Sequence, residues 1–304
     1  MGGAMSSLGA AMVILVLRDV FHTLFHPGGQ GRISRRALVT TWRAVKWIGG
    51  RERLGELAGP LGVVVVIGVW AASVLLGGAL VYWPHIPGGF SYASGLDPEQ
   101  RNGLLDAVYF SLATTTTLGY GDIVPTSGWL RLVAPLQAMI GFSLLTAAVT
   151  WVLQVYPALN RRRRLATRLT TMHQAGVHQE LPHAQSPVLA MVLESLATDI
   201  IQIRTDLLQY AETYFFRVRD QASALPAALP YANDLATVGG KSRRADIRIA
   251  ASVLSGAVTH LAQLLGSEFL DLRGTTEDIL AAYATDHGVT IGLRVPTVGG
   301  PAGA

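Results

Sequence analysis

The residues with the clearest chemical capacity lie in one short segment, Thr117-Leu118-Gly119-Tyr120-Gly121-Asp122. Glycine adopts backbone angles that a Cβ would forbid, so glycine at alternate positions allows successive carbonyl groups to face the same side. A row of carbonyl oxygens, closed at one end by the hydroxyl of Thr117, can replace the water around a cation. A glycine-rich turn in a soluble loop is the alternative, and the flanking residues decide between the two.

Two long apolar stretches flank this segment. They are residues 60–83 and 132–156, and neither contains Asp, Glu, Lys or Arg. A membrane-spanning helix needs about 20 such residues, so both predict a span. Between them, residues 104–116 indicate a helix that is too short to cross a membrane. Irregular backbone at membrane depth is tolerated where it is buried in protein or lines a watery path. The order of these elements therefore predicts a re-entrant pore loop.

This order and the TLGYGD sequence resemble the two-helix pore module of potassium channels, whose selectivity filter reads TVGYG. Leu118 stands where that motif has Val. The resemblance covers about residues 60–156, roughly a third of the chain. It implies an all-α membrane protein in which four identical subunits surround one pore, because each chain carries a single filter. The implied activity is passive, potassium-selective transport, with K⁺ as the transported ion, no organic cofactor and no enzymatic function.

The resemblance also implies roles for individual residues. The filter that binds the ions is Thr117, Leu118, Gly119, Tyr120 and Gly121, with K⁺ at the first four of these. The pore helix directs the negative end of its dipole, near Thr116, at a central cavity. Asp122 lies just outside the filter, and Tyr109 and Phe110 are expected to pack around it. Many members pair this aspartate with an acid at the position of Ala113, so the usual carboxylate pair is not expected here.

Gating elements are expected in the second apolar stretch. Gly141 lies 21 residues after Tyr120, where many relatives carry a hinge glycine, and close helix packing is the alternative. Val149, Leu153 and Pro157 recur about one turn apart. They form either an apolar constriction that gates by dewetting or contacts between subunits. The sequence does not decide between a hinge and close packing at Gly141, or between a constriction and subunit contacts at the other three residues.

Basic residues predict the orientation. Seven lie between residues 31 and 53 and five between 161 and 168, whereas residues 84–131 contain two. Both basic groups are therefore expected at the cytoplasmic face. The run 161–164 is interpreted chiefly as such an anchor, with anionic lipid or acidic partners as the alternative. Residues 33–48 favour an amphipathic helix on an anionic inner leaflet over an ordinary cytoplasmic helix.

The N-terminal residues indicate one further membrane helix. Residues 3–25 can span if Arg18 and Asp19 lie near an interface or pair with each other. The excess of Arg over Lys, 22 to 2, with frequent Ala and Gly, is typical of a prokaryote with a GC-rich genome. A plasma-membrane, multi-pass protein with a cytoplasmic C-terminal domain is the resulting expectation.

The second half of the chain is predicted to be helical and soluble. Helices are expected over 187–221, 241–272 and 276–287, the last opened by Thr275 or Thr276 with Asp278. Loops are expected at Pro226, Pro230 and Gly239-Gly240, and a disordered tail over 288–304. Three histidines, His173, His178 and His183, recur every five residues. They are interpreted as solvated loop residues rather than as a metal or proton sensor.

Composition excludes several other classes of protein. The chain has 304 residues, 14% charged residues and a mean hydropathy of +0.37, which argues against a wholly soluble protein. With no cysteine, thiol catalysis and cysteine-based metal sites are excluded. There is no catalytic constellation, no G-x-G-x-x-G nucleotide motif and no sign of nucleic-acid binding.

The sequence therefore predicts a homotetrameric potassium channel in a lipid bilayer. Its parts are an N-terminal membrane segment with a basic interfacial helix (1–59), a pore domain (60–157), a helical cytoplasmic domain (158–287) and the tail. The gate is expected at the inner-helix end or at the filter. Two alternatives stay open, a weakly selective cation channel and a membrane receptor or scaffold with a vestigial pore.

Overall fold

The computed structural model describes residues 2–25, 31–48, 52–183, 185–218 and 220–291. The helices are α1 (Gly2–Phe25), α2 (Arg32–Ile48), α3 (Glu52–Tyr82), α4 (Leu104–Thr115), α5 (Leu130–Gln174), α6 (Val177–Glu180), α7 (Val188–Gln209), α8 (Leu225–Gly239), α9 (Ala245–Leu265) and α10 (Thr276–Asp286). Strands β1 (Phe90–Tyr92) and β2 (Ile123–Pro125) pair antiparallel, with Ser91 opposite Val124. The all-α class predicted from the sequence is confirmed. Most of the tail predicted over 288–304 lies outside the described residues.

The described residues separate into two compact units. One contains those within 1–47 and 60–154, and the other those within 48–59 and 155–304. Helix α5 runs without interruption from the first into the second. The span predicted to end at Tyr156 is therefore continued by the same helix as far as Gln174.

Three helices of the first unit are long and apolar enough to cross a membrane: the spans are Gly2–Leu24, Leu57–His85 and part of Leu130–Gln174. Helices α1 and α3 approach closely at Gly9 and Gly77. A Cβ on Gly9 would overlap the carbonyl oxygen of Gly77. Small residues at such crossings are typical of membrane helices, so α1 packs as a membrane helix would.

Asp19 of α1 pairs with the start of α2 rather than with Arg18, which is exposed. Its carboxylate is 5% exposed and accepts hydrogen bonds from the N–H groups of Ile33 (2.8 Å) and Ser34 (3.1 Å). The Ser34 hydroxyl (2.5 Å) and the indole N–H of Trp70 on α3 (3.1 Å) donate to the same carboxylate. N–H groups in the first turn of a helix lack partners and favour a negative charge. Asp19 therefore joins α2 to α1 and α3.

The two faces of α2 differ in burial. Ser34, Leu38 and Trp42 recur every four residues and are buried, and Leu38 lies against Gly62 of α3. Most of the basic residues of α2 are exposed, and Trp47 at its end is 89% exposed. The helix predicted over 33–48 is confirmed, with its apolar face docked on α3.

Replacing Asp19 with asparagine is expected to loosen α2. The amide carries no charge and directs a donor at N–H groups that need an acceptor, so docking should weaken by about 1–3 kcal/mol. Because the chain has no cysteine, Thr40→Cys on the exposed face of α2 gives a unique spin-label site. We expect greater nitroxide mobility in Asp19→Asn than in the exposed control Asp97→Asn. Equal mobility would show that Asp19 does not hold α2.

Helices α7, α8, α9 and α10 form the core of the second unit. Residues Ala245–Leu270 are long and apolar enough to cross a membrane, but 56% of this apolar stretch is buried inside the unit. Packing of α9 against its neighbours therefore accounts for its composition. Helix α10 confirms the helix predicted over 276–287, and the Thr275 hydroxyl accepts a hydrogen bond from the N–H of Asp278 at 3.2 Å.

Three expectations for the second unit are wrong. The helix predicted over 187–221 ends at Gln209 and is followed by a 3₁₀ segment, Ala211–Phe215. Pro226 and Pro230 lie inside α8 rather than in loops. Pro226 falls in the first turn, where its missing N–H has no helical partner to lose. Almost all of α8 is buried, so tertiary packing outweighs the helix-breaking tendency of Pro230.

The predicted solvated histidines are partly packed. The rings of His173 and His178 stack at a centroid distance of 5.7 Å, and both lie edge-on to the buried ring of Tyr231. Nδ1 of His178 lies 3.3 Å from the Tyr231 hydroxyl. His183 alone of the three is exposed. His173 and His178 therefore pack against Tyr231 rather than lying in the predicted solvated loop.

Candidate functional site

Helix α4 leads directly into the glycine-rich segment. Its buried positions, Ala107, Phe110, Ser111 and Ala113, follow helical spacing. Its first turn is closed by the carboxylate of Asp106, which accepts the N–H of Gly103 at 3.2 Å. The helix ends at Thr115, and its last carbonyl groups bind the start of the next segment. Its short length and position match the predicted pore helix.

The segment 117–121 has an unusual backbone. The φ angle is +58° at Thr117, +53° at Gly119 and +77° at Gly121, whereas Leu118 and Tyr120 do not have positive φ. Alternation of left- and right-handed residues places successive N–H groups on one side of the chain and the carbonyl groups on the other. The glycines adopt these angles without strain, whereas Thr117 is held there at a cost.

The N–H groups at the start of this segment are satisfied by α4. The N–H of Thr117 donates to the carbonyl of Thr114 (3.0 Å), and those of Leu118 (2.9 Å) and Gly119 (3.3 Å) donate to the carbonyl of Ala113. By contrast, the carbonyl oxygens of residues 117–121 accept no hydrogen bond from any described residue. These bonds hold the segment by one side and leave its carbonyl oxygens available.

The single chain leaves this segment uncovered. All residues from Thr116 to Gly121 are exposed, and Leu118 and Tyr120 are 55% and 69% exposed. The hydroxyl of Thr116 donates back to the carbonyl of Leu112 at 2.8 Å, whereas that of Thr117 has no partner among the described residues. Thr117 is therefore the better placed of the two threonines to add a side-chain oxygen to the row of carbonyls.

Asp122, just after this segment, has a partner that the sequence did not predict. Its carboxylate accepts a hydrogen bond of 2.6 Å from the hydroxyl of Tyr109 on α4. The carbonyl of Asp122 also accepts the N–H of Ala93, beside the β1–β2 pair, at 2.8 Å. The acid that many potassium channels carry at the position of Ala113 is absent here. The hydroxyl of Tyr109, eight residues before Thr117, is the side-chain partner of Asp122 instead. The outer end of the segment is fixed on two sides.

Replacing Tyr109 with phenylalanine is expected to loosen this outer end. The ring stays and the solvent-exposed bond to the carboxylate is lost, which lowers the free energy of local opening by about 0.5–1.5 kcal/mol. We expect amide hydrogen exchange at Ala93, whose N–H donates to the Asp122 carbonyl, to accelerate by about two- to tenfold. The matched control is Tyr92→Phe, because the Tyr92 hydroxyl donates to the carbonyl of Arg101 instead. Similar exchange in both variants would contradict this role.

Phe110 lies in an aromatic cluster behind the segment. Its ring is edge-on to Tyr82 at 4.8 Å and to Phe90 at 5.0 Å. The cluster joins α3, β1 and α4, and Ile123 of β2 belongs to the same buried group. Phe110 therefore supports α4 by packing within the same chain, whereas Tyr109 acts through its hydroxyl.

A buried polar cluster between α3, α4 and α5 also escaped prediction. The side-chain amide of Gln137 donates to the hydroxyls of Ser111 (2.7 Å) and Thr115 (2.8 Å). Ser111 in turn donates to the carbonyl of Leu75 at 2.7 Å. Polar side chains inside a membrane span usually have a partner, so Gln137 within the apolar stretch was the available signal.

The predicted gating residues lie along one continuous helix. Helix α5 is unbroken at Gly141, where a Cβ would overlap the carbonyl oxygen of Thr115 at the end of α4. Val149 and Leu153 are 52% and 67% exposed and share a face of α5. On another face, Trp151 is fully buried against Trp70 of α3, with a centroid distance of 5.4 Å. Gly141 thus lies against the end of α4, whereas the side chains of Val149 and Leu153 are exposed.

Comparisons with known proteins agree on the first unit. An ion channel family model matches residues 69–156. The chain is 27% identical to the uncharacterized membrane protein YdjJ of Bacillus subtilis (strain 168) over 155 residues, 51% of this chain and 44% of that protein. It is 33% identical to two-pore potassium channel 2 of Arabidopsis thaliana over 82 residues, 26% of this chain and 17% of that one.

Two-pore potassium channel 5 of the same plant is 35% identical over 64 residues, 20% of this chain and 16% of that protein. The chain thus spans less than half the length of each of these relatives. No solved structure matches it. These findings support the family predicted from the sequence: residues 69–156, which hold the end of α3, the α4 segment and the apolar part of α5, match the ion channel family, and part of the chain is similar to two proteins named two-pore potassium channels.

Proposed function

We propose that this protein is a potassium-selective channel that conducts K⁺ passively across the plasma membrane. The observation that carries the proposal is the row of unpaired carbonyl oxygens at residues 117–121, on a backbone whose φ alternates in sign. Once four copies enclose these exposed carbonyl groups, each of them needs a partner. In a membrane pore, a dehydrated cation is the partner that fits. The relatives named two-pore potassium channels support K⁺ as that cation.

The residues share the binding of the ion as follows. The carbonyls of Thr117, Leu118, Gly119 and Tyr120 supply successive rings of oxygen, and the hydroxyl of Thr117 closes the innermost one. Gly121 allows the chain to turn away after the last ring. The C-terminal end of α4 directs its partial negative charge toward the cavity below. No side-chain charge is needed within the filter.

A homotetramer follows from the single filter in each chain. One subunit leaves the segment 117–121 exposed, and four copies around an axis would enclose it. Helix α5 also carries exposed apolar side chains at helical spacing: Leu132, Leu136, Met139, Phe142 and Leu145. Neighbouring subunits and lipid together would cover this face.

We place the gate at the filter or at the cytoplasmic end of the pore. Val149 and Leu153 are outward-facing and apolar, so four copies could form a constriction that dewets. The contact of Gly141 with Thr115 favours packing over a hinge at that position. In this arrangement a pore domain (60–157) is followed by a helical cytoplasmic domain (158–287).

The basic residues support the proposed orientation. Helix α2 docks its apolar face on α3 and exposes most of its arginines and Trp47. This arrangement suits an interfacial helix on the anionic inner leaflet. The second basic group, at residues 161–168, would lie on the same cytoplasmic side.

The test is ion flux into liposomes that contain the purified protein. We expect K⁺ uptake that barium blocks and that exceeds Na⁺ uptake under equal gradients. Equal uptake of both ions would support the weakly selective channel instead. No uptake of either ion by the intact tetramer, with or without residues 165–304, would support the receptor or scaffold.

A further inference from the structure

The arginines that follow the last span divide into two groups. Three of them pair within the second unit: Arg161 with Asp206 (2.7 Å), Arg162 with the Tyr283 hydroxyl (2.7 Å) and Arg168 with Asp199 (2.7 Å). These bonds attach α5 to α7 and α10. They are internal contacts, so the interpretation of the whole run as a membrane anchor does not describe them.

Arg163 and Arg164 form the second group. Both are exposed, and neither has a hydrogen-bond or ion-pair partner within the part of the chain that the structure describes. Two adjacent guanidinium groups without a counter-charge repel each other. Exposed guanidiniums are ordinarily hydrated, and an anion bound between them would lower this repulsion.

The two arginines line an open groove of about 550 Å³ on the surface of the second unit. The other lining residues are Thr167, Arg168, Thr171, Met172 and Ser223. All but Ser223 share one face of α5, because they recur at intervals of about four residues. None of the lining residues is acidic. The volume is within the range of small-molecule sites.

The donors in the groove suit an anion with several oxygens. The hydroxyls of Thr171 and Ser223 already donate to the Thr167 carbonyl (2.9 Å) and to the Asp220 carboxylate. The hydroxyl of Thr167 has no partner among the described residues and lies one turn from Arg163 on the same face. Guanidinium groups bind carboxylate and phosphate in bidentate fashion. Arg168 is already paired with Asp199, so two unpaired guanidiniums and one hydroxyl remain on this wall, and the several oxygens of a phosphate can accept hydrogen bonds from all three.

We propose that this groove is a binding site for a phosphate group, held by Arg163, Arg164 and Thr167 with Arg168 at its edge. Arg163 lies seven residues beyond Tyr156, about 10 Å along the helix. A lipid headgroup at the inner leaflet and a soluble phosphorylated ligand can therefore both reach it. The lipid source rests on the proposed membrane orientation, and neither source depends on the ion selectivity of the pore.

The test is isothermal titration calorimetry on the detergent-solubilised full chain. The probes are inorganic pyrophosphate, dioctanoyl-phosphatidylglycerol and, as the uncharged control, dioctanoyl-phosphatidylcholine. We expect the double variant Arg163→Gln/Arg164→Gln to raise the Kd of the bound probe by about tenfold or more, and Thr167→Val by about threefold. The matched control is Lys241→Gln/Arg243→Gln, which removes the same charge from exposed positions outside the groove.

The outcomes separate the two sources of phosphate. Tight binding of pyrophosphate, lost in the groove variant, indicates a soluble ligand, whereas binding of phosphatidylglycerol alone indicates a lipid headgroup. Arg163 and Arg164 have no hydrogen-bond or ion-pair partner among the described residues, so the melting temperature of the groove variant should not change. Failure of both probes to bind, or equal weakening in the groove and control variants, would overturn the proposal.

Discussion

Replacing Gly119 with alanine is expected to reduce K⁺ flux to below about 1% of the wild type. The φ angle of +53° at this position costs a residue with a Cβ about 1–2 kcal/mol. In a tetramer the strain occurs four times around one axis. A backbone rotation that relieves the strain would move the Gly119 carbonyl out of the row, so one ring of oxygens around the ion would be lost. The liposome flux assay measures the effect.

Gly95→Ala is the matched control for this variant. Gly95 also has a positive φ, +99°, and, as at Gly119, an added Cβ would meet no atom within 4 Å. It lies in the exposed segment after β1, outside the row of carbonyls. We expect its flux to stay within about twofold of the wild type. Similar losses in both variants would assign the effect to folding rather than to ion binding.

Replacing Gly141 with alanine is expected to displace α5 from the end of α4. A Cβ at this position would overlap the carbonyl oxygen of Thr115, and overpacking of this kind costs about 1–3 kcal/mol per subunit. Since α4 positions residues 117–119 through its last carbonyl groups, K⁺ flux should fall by at least about tenfold. The melting temperature of the protein should fall as well.

This pair of measurements separates packing from hinge bending. A hinge would tolerate alanine in the resting fold, so flux would change while the melting temperature stayed constant. Gly68→Ala on α3 is the control, because an added Cβ there meets no atom within 4 Å. We expect that variant to be as stable as the wild type or slightly more so, since alanine favours a helix. A stable Gly141→Ala protein would contradict the packing interpretation.

Local sequence patterns predicted the elements of the pore unit but few of its long-range contacts. Apolar length identified the spans, and the spacing of glycines anticipated the positive φ at Gly119 and Gly121. The bond from Tyr109 to Asp122 joins residues 13 positions apart. Neither a tyrosine nor an aspartate identifies its partner by residue type, so no pattern along the chain predicts this hydrogen bond. The same holds for Asp19 and Trp70, which are 51 positions apart.

The second unit shows where local patterns mislead. Pro226 and Pro230 are helix breakers by propensity, yet the burial of α8 outweighs that tendency. The arginine run 161–164 reads as a uniform charged block in the sequence. Its members differ because one aspartate, Asp206, pairs with Arg161 and one tyrosine, Tyr283, pairs with Arg162, whereas Arg163 and Arg164 have no such partner among the described residues. The division into paired and unpaired arginines is therefore visible only in three dimensions.

The most direct test of the central claim is the reversal potential of single channels in a planar bilayer, with K⁺ on one side and Na⁺ on the other. If residues 117–121 form a potassium filter, the reversal potential will lie far from zero, toward the potential at which K⁺ alone is at equilibrium. A reversal potential near zero, with both cations carrying current, would contradict the account.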